Sequence, residues 1–442
     1  MNAVNTPYGG YLIPTSGEPE ALLVQGGRGT AGGEYLRRFW QPVAYERELE
    51  GGPLRVRIMG EDLVVFRDLS GDVGVLHLHC SHRGTSLEFG RVEEHGIRCC
   101  YHGRVFGVDG AVLEMPGERQ AERMSKSMKQ GAYPVHLFAG LVFAYMGPPE
   151  LKPPFPRYDR FELPGIRLEP AIRMPFACNW VQVKENAMDP AHTAVLHAWE
   201  GMFASEFGKF PEITWTETPA GVAYFASRAV GDKVWVRSTD ILAPNIHSIS
   251  SVFEDGRMLK DCSPPWITIW TVPVDDDSCM NFVVEHLAED DTTPASTRHK
   301  AMSVGQTPDR PYEERKKVPG DYDAMVSQGG INSHSLEHLG TLDQGVVMFR
   351  RLLKREILGV QNGADPAAIF RNGNVIPTYG TDRVVDGDEI PGDPDDNDAL
   401  MSYARKCAQD YLKRPPFLNG VVARPVAMPA RATVEGAGVS ST

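Results

Sequence analysis

Short apolar runs separated by turn residues dominate the first third of the chain. The runs are rich in β-branched residues, and Gly-Glu and Ser-Gly-Asp, which are turn signals, separate the first three. Together the runs span residues 54–58, 62–67, 73–77, 105–112 and 141–145. This pattern predicts a small all-β domain over residues 35–148.

A proline-rich segment ends this domain. The ten residues 147–156 contain five prolines. Proline removes a backbone donor and is excluded from helix interiors and central strands. The segment therefore predicts a linker into a second domain, which we place at residues 149–380.

The second domain combines a sheet with a long helix. Further β-rich runs at 222–227, 233–237, 246–253, 266–272 and 280–285 predict an antiparallel sheet. Beyond them, apolar residues at helical spacing predict an amphipathic helix that begins with a capping box of Thr341 and Gln344. The apolar residues are Leu342, Val346, Phe349, Leu353 and Ile357. The fold class is α+β.

Three other segments show weaker patterns. Residues 1–34 are polar and rich in glycine and proline, which predicts an extended arm. Residues 305–330 are charged and interrupted by proline and glycine, which predicts a mobile loop over a pocket entrance. Residues 381–442 are acidic and proline-rich, and we interpret them as a C-terminal extension with a helix at 398–414.

Composition excludes several functions. The formal net charge of −13 gives no support to nucleic-acid or anionic-membrane binding. No stretch approaches the roughly 18 apolar residues of a spanning helix. The N-terminus lacks the basic and apolar regions of a signal peptide. The seven cysteines show no disulfide framework. These features predict a cytoplasmic protein with no nucleic-acid or membrane partner.

The strongest chemical signal is a pair of mixed cysteine–histidine motifs. Cys80 and His82 form the first, and Cys99 and His102 form the second. Two thiolates on one iron and two imidazoles on the other are the ligands of a Rieske [2Fe–2S] cluster. A structural zinc site is the alternative, but zinc sites usually pair cysteine with cysteine and histidine with histidine. Cys100 is a rival to Cys99, which we prefer for its C-x2-H spacing.

A second motif contains Asn186, Asp189, His192 and His197. Two histidines and one carboxylate form the facial triad of mononuclear non-haem iron(II). Residues five positions apart lie about 140° apart around a regular helix. Both histidines can therefore reach one metal only if the helix is broken here. Asp189-Pro190 is a suitable place for that break, because Asp favours the N-cap and Pro the first helical position. The alternative is a helix start with two partly buried histidines.

The sequence offers one candidate for the third carboxylate and two for the substrate contacts. Asp343 is either the third iron ligand or a helix-dipole carboxylate. His334 and His338 form a rival metal pair, which we interpret as structural. Arg228 and Arg237 are the cations best placed to hold a substrate carboxylate in a pocket on the sheet. The alternative for each is an exposed arginine on a strand edge.

The cluster motif, the Asn186–His197 motif and the late aspartate, in this order, resemble the oxygenase component of the Rieske non-haem iron ring-hydroxylating oxygenases. The resemblance covers residues 35–360. Residues 37–42 (Arg-Arg-Phe-Trp-Gln-Pro) and 339–351 are similar to the phthalate dioxygenase-like branch. One departure is Cys100 with Arg104, where relatives commonly have an apolar residue and tryptophan.

The resemblance implies an all-β Rieske domain followed by a helix-grip catalytic domain, a sheet covered by helices. It implies cluster ligands Cys80, His82, Cys99 and His102, and iron ligands His192, His197 and Asp343. It also implies that Asp189 connects His192 to His102 of a neighbouring subunit and that Asn186 lies near the iron. The expected assembly is a homo-oligomer, α3 or α3α3.

The expected activity is hydroxylation of a small aromatic substrate, preferably carboxylated, with O2 as co-substrate. Electrons come from NAD(P)H through a reductase with flavin and iron–sulfur centres. Monooxygenation and O- or N-demethylation use the same metals and are alternatives. A Rieske electron carrier without the second metal and a zinc-stabilised binding protein are alternatives of other classes.

Overall fold

The computed structural model describes residues 8–199, 208–250, 253–254, 257–258 and 263–418. The predicted all-β domain is present as three small sheets. Their orders are β1-β11-β10, β2-β3-β4-β9 and β5-β6-β7-β8. The strands are β1 (Trp40–Tyr45), β2 (Leu54–Ile58), β3 (Glu61–Arg67), β4 (Val73–His77), β5 (Arg91–Val92), β6 (Ile97–Arg98), β7 (Val105–Phe106), β8 (Val112–Glu114), β9 (Ala132–Tyr133), β10 (Val135–Phe138) and β11 (Leu141–Tyr145).

The second domain is built on one eight-stranded antiparallel sheet. The order is β12-β20-β19-β16-β15-β14-β13, and β21 pairs with β15. The strands are β12 (Ile166–Phe176), β13 (Glu212–Thr218), β14 (Gly221–Val230), β15 (Lys233–Leu242), β16 (Ile246–Ser250), β19 (Pro265–Pro273), β20 (Cys279–Ala288) and β21 (Thr381–Asp386). A two-stranded hairpin, β17 (Phe253–Glu254) and β18 (Arg257–Met258), lies outside this sheet.

Nine helices accompany these sheets in the described ranges. They are α1 (Ala21–Val24), α2 (Ala31–Leu36), α3 (Ala121–Ser127), α4 (Trp180–Ala187), α5 (Ala295–Ser303), α6 (Tyr312–Lys317), α7 (Asp321–Val326), α8 (Gln344–Gln361) and α9 (Asn397–Lys413). The described part of the chain contains no helix long and apolar enough to cross a bilayer. The α+β architecture, with a sheet covered by helices, is confirmed.

Alternation of side chains sorts the two faces of the central sheet. Ala223 and Phe225 on β14 join Val234 and Val236 on β15 in an apolar cluster with helix α9. The residues between them point to the opposite face, because successive side chains of a strand alternate. Tyr224, paired with Thr239, and Arg228 therefore face a cavity on the other side of the sheet.

The C-terminal segment is part of the sheet. Residues 381–386, predicted to begin a separate extension, form β21 and pair with residues 233–238 of β15. The acidic composition masked this strand, because its polar residues find partners only in the folded chain. Asp382, for example, accepts a hydrogen bond from Trp235 Nε1 at 2.8 Å.

The predicted N-terminal arm also differs from the structure. Helices α1 and α2 contact helix α8, and Leu23 is fully buried in the main core. Thr30 starts α2 by accepting a hydrogen bond from Gly33 N at 3.1 Å. Both helices are so short that tertiary packing, not local periodicity, stabilises them.

Residues 305–330, predicted as a mobile loop, contain helices α6 and α7. Gly320 packs so closely on Gly305 that a Cβ atom at position 320 would lie 2.3 Å from the Gly305 Cα. The amide of Tyr322 donates to the Gly305 carbonyl at 2.9 Å. This contact fixes the start of α7 beside residues 302–306, which line the cavity.

Candidate metal centres and active site

Two loops of matching geometry present the predicted cluster ligands. The amide of Gly84 donates to the Cys80 carbonyl at 2.8 Å, and that of Gly103 donates to the Cys99 carbonyl at 3.1 Å. Both glycines have positive φ, +79° and +71°. This backbone region is costly for residues with a Cβ, so glycine allows each loop to turn directly after its ligands.

The donor set fits a Rieske cluster. Cys80 and Cys99 are buried in one apolar cluster, and the rings of His82 and His102 lie 4.7 Å apart between centroids. Burial raises the pKa of Cys80, while the backbone amide of His82 donates to it and acts against burial. Such hydrogen bonds tune the potential of a cluster. Cys100 is exposed, which supports Cys99 as the ligand.

Desolvation and nearby cations, Arg104 first, lower the pKa of His82. The imidazole is thus neutral at pH 7, which is the form that binds metal. Arg104 itself is 7% exposed, so this side chain is buried.

The iron motif is held on a broken helix, as its spacing predicts. Helix α4 ends at Ala187, and two short 3-10 turns begin at His192 and at His197. Asp189 Oδ1 accepts hydrogen bonds from the amides of Ala191 at 2.8 Å and His192 at 3.3 Å. The break brings the two histidine rings to 5.2 Å between centroids.

The carboxylate that joins the two histidines is Asp321, at the start of α7. Its oxygens lie 3.5 Å from His192 Nε2 and 3.4 Å from His197 Nε2. One ligand atom from each of the three residues lies within 4.8 Å of the others. Two imidazoles and one carboxylate around a common point fit mononuclear iron(II).

The third ligand predicted from sequence must therefore be corrected. The structure does not bring Asp343 into the group of His192 and His197. Its Oδ2 accepts a hydrogen bond from the Gly340 amide at 2.6 Å, at the start of helix α8. Asp343 thus has the helix-start role that was the alternative, through this one bond and not through a capping box of Thr341 and Gln344.

Two side-chain amides hold Asp321. Asn186 Nδ2 donates to Oδ1 at 3.2 Å, and Gln306 Nε2 donates to Oδ2 at 2.5 Å. Burial favours the neutral acid, but His197 and His192 outweigh it and hold the pKa of Asp321 well below its usual range. Asn186 therefore contacts the carboxylate of the candidate triad.

His334 belongs to a different cluster. Its Nδ1 accepts a hydrogen bond from the Glu20 amide at 2.9 Å. Glu185 and Glu337 lie nearby, but Arg350 bridges these two carboxylates. An ion-paired cluster of this kind is structural, which agrees with the interpretation of His334.

The metal triad opens into a cavity on the sheet. The cavity has a volume of about 190 Å³. Helix α4, the two 3-10 turns and residues 302–306 cover it. Its sheet wall is largely apolar and includes Tyr224, Ile249, Trp266, Ile267 and Ile269. Concave sites with apolar walls and a few placed polar groups are typical of small-molecule binding.

Both predicted arginines line this cavity and are buried. Arg228 is 1% exposed and donates to Thr193 Oγ1 at 2.7 Å, and Arg237 is 8% exposed and donates to the Ser250 carbonyl at 3.1 Å. Burial lowers the pKa of Arg228 to about 10, so it remains a cation at neutral pH. The alternative of exposed strand-edge arginines is wrong.

Comparison with known proteins places the N-terminal domain in a family. A family model for the Rieske [2Fe-2S] domain matches residues 39–133. Two solved structures share the fold. NdmA from Pseudomonas putida CBB5 with caffeine has a TM-score of 0.60 and 19% identity, over 78% of this chain and 97% of that one. Dicamba monooxygenase bound to 3,6-dichlorosalicylic acid has a TM-score of 0.57 and 18% identity, over 74% of this chain and 98% of that one.

Curated relatives extend the match over most of the chain. The oxygenase subunit of tert-butanol monooxygenase / tert-amyl alcohol desaturase from Aquincola tertiaricarbonis is 40% identical over 91% of each chain. The alpha subunit of phenoxybenzoate dioxygenase from Ectopseudomonas oleovorans is 39% identical over 80% of this chain and 89% of its own length. The 5,5'-dehydrodivanillate O-demethylase oxygenase subunit from Sphingobium sp. is 34% identical over 84% and 88%.

These relatives are enzymes, so the electron-carrier and zinc-protein alternatives are wrong. The chain belongs to the Rieske non-haem iron oxygenases, as an oxygenase component whose cofactors are a Rieske [2Fe–2S] cluster and a mononuclear iron and whose electrons come from a reductase or ferredoxin partner.

Proposed function

We propose that this protein is a terminal oxygenase that hydroxylates a carboxylated aromatic compound. The observation that carries the proposal is the set of residues that line one cavity. It contains the triad of His192, His197 and Asp321, an apolar sheet wall, and two buried guanidinium groups. An aromatic ring fits the apolar wall, and arginine binds a carboxylate through paired hydrogen bonds.

In this proposal His192, His197 and Asp321 hold the mononuclear iron. Three protein ligands leave positions open, so the iron supplies O2 binding and activation. Asn186 and Gln306 fix the carboxylate. The backbone carbonyl of Asp189 contacts His192 Nδ1, which leaves Nε2 directed at Asp321.

Cys80, His82, Cys99 and His102 hold the cluster. Its ligand loops pack in an apolar cluster of the N-terminal domain, separate from the core that surrounds the iron motif. His102 is exposed, and the Asp189 side chain is 30% exposed. We propose that Asp189 connects His192 to His102 of a neighbouring protomer, which requires an α3 or α3α3 assembly.

The arginines support an acidic substrate. Relatives named for phenoxybenzoate, phthalate and 3-chlorobenzoate act on aromatic acids. Arg237 is held by the Ser250 carbonyl and lies 3.7 Å from Asp382, so its guanidinium is oriented before substrate binds. Preorganised cations bind with a smaller entropic cost.

Monooxygenation is the second candidate. The relative that is 40% identical over 91% of the chain is named for tert-butanol and tert-amyl alcohol, and another is named as an O-demethylase. The same metal set supports either outcome, because the position of the substrate over the iron decides which bond is oxidised.

The test is product analysis with 18O2. The purified protein is supplied with NADH and a flavin–iron–sulfur reductase, and offered phthalate, 3-chlorobenzoate, 3-phenoxybenzoate, 4-methoxybenzoate and tert-butanol. We expect labelled product from at least one aromatic acid. Two retained labels mean dioxygenation, one means hydroxylation, and formaldehyde means demethylation.

The same panel of substrates can also contradict the proposal. Conversion of tert-butanol alone supports the second candidate. Absence of substrate-dependent product from iron-replete protein contradicts an acidic aromatic substrate. The Asp321→Ala variant is the control for products formed without the mononuclear centre.

A further inference from the structure

A buried lysine contacts a histidine of the substrate cavity. Lys184 Nζ lies 2.5 Å from His247 Nδ1. Lys184 has no exposed surface, and His247 is 6% exposed and lines the cavity. Lys184 is on helix α4, two residues before Asn186, and His247 is on strand β16.

Lys184 has no carboxylate partner among the described residues. Within the described ranges no ion pair includes it, and its side-chain hydrogen bond is the one to His247. A buried amine without a counter-ion destabilises the fold, and an apolar side chain would fill the same space at lower cost. The position therefore requires an explanation other than stability.

The contact bears on which nitrogen of the imidazole ring carries the proton. Burial lowers the pKa of Lys184 well below its usual range, and the amine carries N–H groups in either charge state, so it can donate to Nδ1. When His247 Nδ1 accepts this hydrogen bond, the ring proton resides on Nε2. Burial, followed by Lys184 and Arg160, lowers the pKa of His247 well below its usual range, so the ring is neutral.

The free nitrogen faces the cavity. Among described residues, Lys184 is the one hydrogen-bond partner of the His247 ring, and that bond uses Nδ1. His247 and Ile249 lie on the same face of β16, with Ile269 and Ile267 opposite them on β19. The Nε2–H group of His247 is therefore a hydrogen-bond donor surrounded by the isoleucines of this part of the cavity wall.

This donor and Arg237 lie at different ends of the cavity. Arg237 binds the carbonyl of Ser250, three residues along β16 from His247, which corresponds to about 10 Å of strand. His247 contacts Lys184, which lies two residues before Asn186 on helix α4, and Asn186 donates to Asp321, so the histidine is at the metal end. A substrate held by its carboxylate at Arg237 would present its far end to His247.

We infer that His247 donates from Nε2 to an oxygen substituent at the reacting end of the substrate, and that Lys184 is the positioning residue that keeps the proton there. The inference rests on the proposed function and deepens it. The substrate class becomes an aromatic acid with an ether or hydroxyl oxygen opposite the carboxylate.

The test uses 4-methoxybenzoate and 4-ethylbenzoate, which differ by one ether oxygen in place of a methylene group. Dissociation constants are measured anaerobically by calorimetry on the metal-replete enzyme. The variants are His247→Leu, His247→Asn, which keeps a donor, and Lys184→Met. The matched control is His95→Leu, a change at an exposed histidine of the N-terminal domain.

We expect the wild type and His95→Leu to bind the methoxy probe about tenfold more tightly than the ethyl probe, the effect of one buried hydrogen bond. His247→Leu and Lys184→Met should reduce that preference to about one, with binding of the ethyl probe unchanged. His247→Asn should retain part of the preference. A change in stability alone would not alter the ratio.

Two results overturn the inference. One is a wild type that binds both probes equally or neither. The other is a His247→Leu enzyme that keeps the full preference, which remains decisive if Lys184→Met does not fold. Mononuclear iron and 18O products are measured on the same samples. Failure of the proposed function therefore appears as missing product, independently of the binding ratio.

Discussion

Gln306 connects the cavity to Asp321, the carboxylate of the candidate triad. Its Nε2 donates to Oδ2 at 2.5 Å, and it comes from the segment that covers the cavity, whereas Asn186 holds the other oxygen from helix α4. One carboxylate is therefore oriented from both sides. Groups that orient a ligand in this way typically change metal affinity 10- to 100-fold when removed.

We predict that Gln306→Leu lowers the affinity for mononuclear iron about 10- to 100-fold and leaves the cluster intact. Iron affinity is measured by competition with a chelator, and the cluster by its electron-spin signal. Gln328→Leu is the control, because Gln328 is exposed just after α7. Equal iron affinity in the two variants would remove Gln306 from the metal site.

Asp189 is predicted to carry the electron connection between protomers. Asp189→Ala and Asp189→Asn should both keep cluster and iron, yet lower turnover at least about 100-fold, because the charge between the two centres is lost. The asparagine oxygen can still accept from the amides of Ala191 and His192. This variant therefore separates the loss of charge from the loss of local structure.

The measurement for Asp189 is the rate at which the reduced cluster is reoxidised by O2 in the presence of substrate. A normal rate in Asp189→Asn would show that the carboxylate is not on the electron route. Loss of iron in the same variant would assign it a structural role instead.

Adjacent cysteines provide a matched pair for the cluster. We predict that Cys99→Ser abolishes the Rieske absorption and electron-spin signal, whereas Cys100→Ser retains both, because Cys99 is buried beside Cys80 and Cys100 is exposed. Retention of the signal in Cys99→Ser together with its loss in Cys100→Ser would reverse the assignment.

Arg237 should determine the preference for acids. The Arg237→Gln/Asp382→Asn double variant removes the cation without leaving the buried Asp382 carboxylate unpaired. We expect the KM for an aromatic acid to rise about 10- to 100-fold, as for a lost charged hydrogen bond, while the KM for the matching amide stays constant. Arg91→Gln, at an exposed arginine of the N-terminal domain, is the control. An equal rise for acid and amide would point to a general packing defect.

Much of the fold was predictable because its signals are local. Strands β2, β4 and β11 have the predicted bounds, since their apolar runs end at turn residues. The break between His192 and His197 was also predictable, because helix geometry forbids a common metal otherwise.

A physical reason explains why the third ligand could not be predicted from the sequence. Asp343 precedes an 18-residue amphipathic helix, which gives it a strong local signal. Asp321 starts a helix of six residues after Pro319-Gly320, a pattern shared with many helix starts. Only tertiary contacts, with Gly305 and Gln306, bring it to the histidines. The lysine beside His247 was missed likewise, since the two residues lie 63 positions apart.

The most direct test compares Asp321→Ala with Asp343→Ala by counting iron and recording the Rieske signal. The wild type should hold about three iron atoms per protomer, two in the cluster and one mononuclear. We expect Asp321→Ala to keep the Rieske signal, retain about two iron atoms and lose oxygenation, and Asp343→Ala to retain about three and remain active. Retention of all iron in Asp321→Ala, with loss of the mononuclear iron in Asp343→Ala, would contradict the assigned triad.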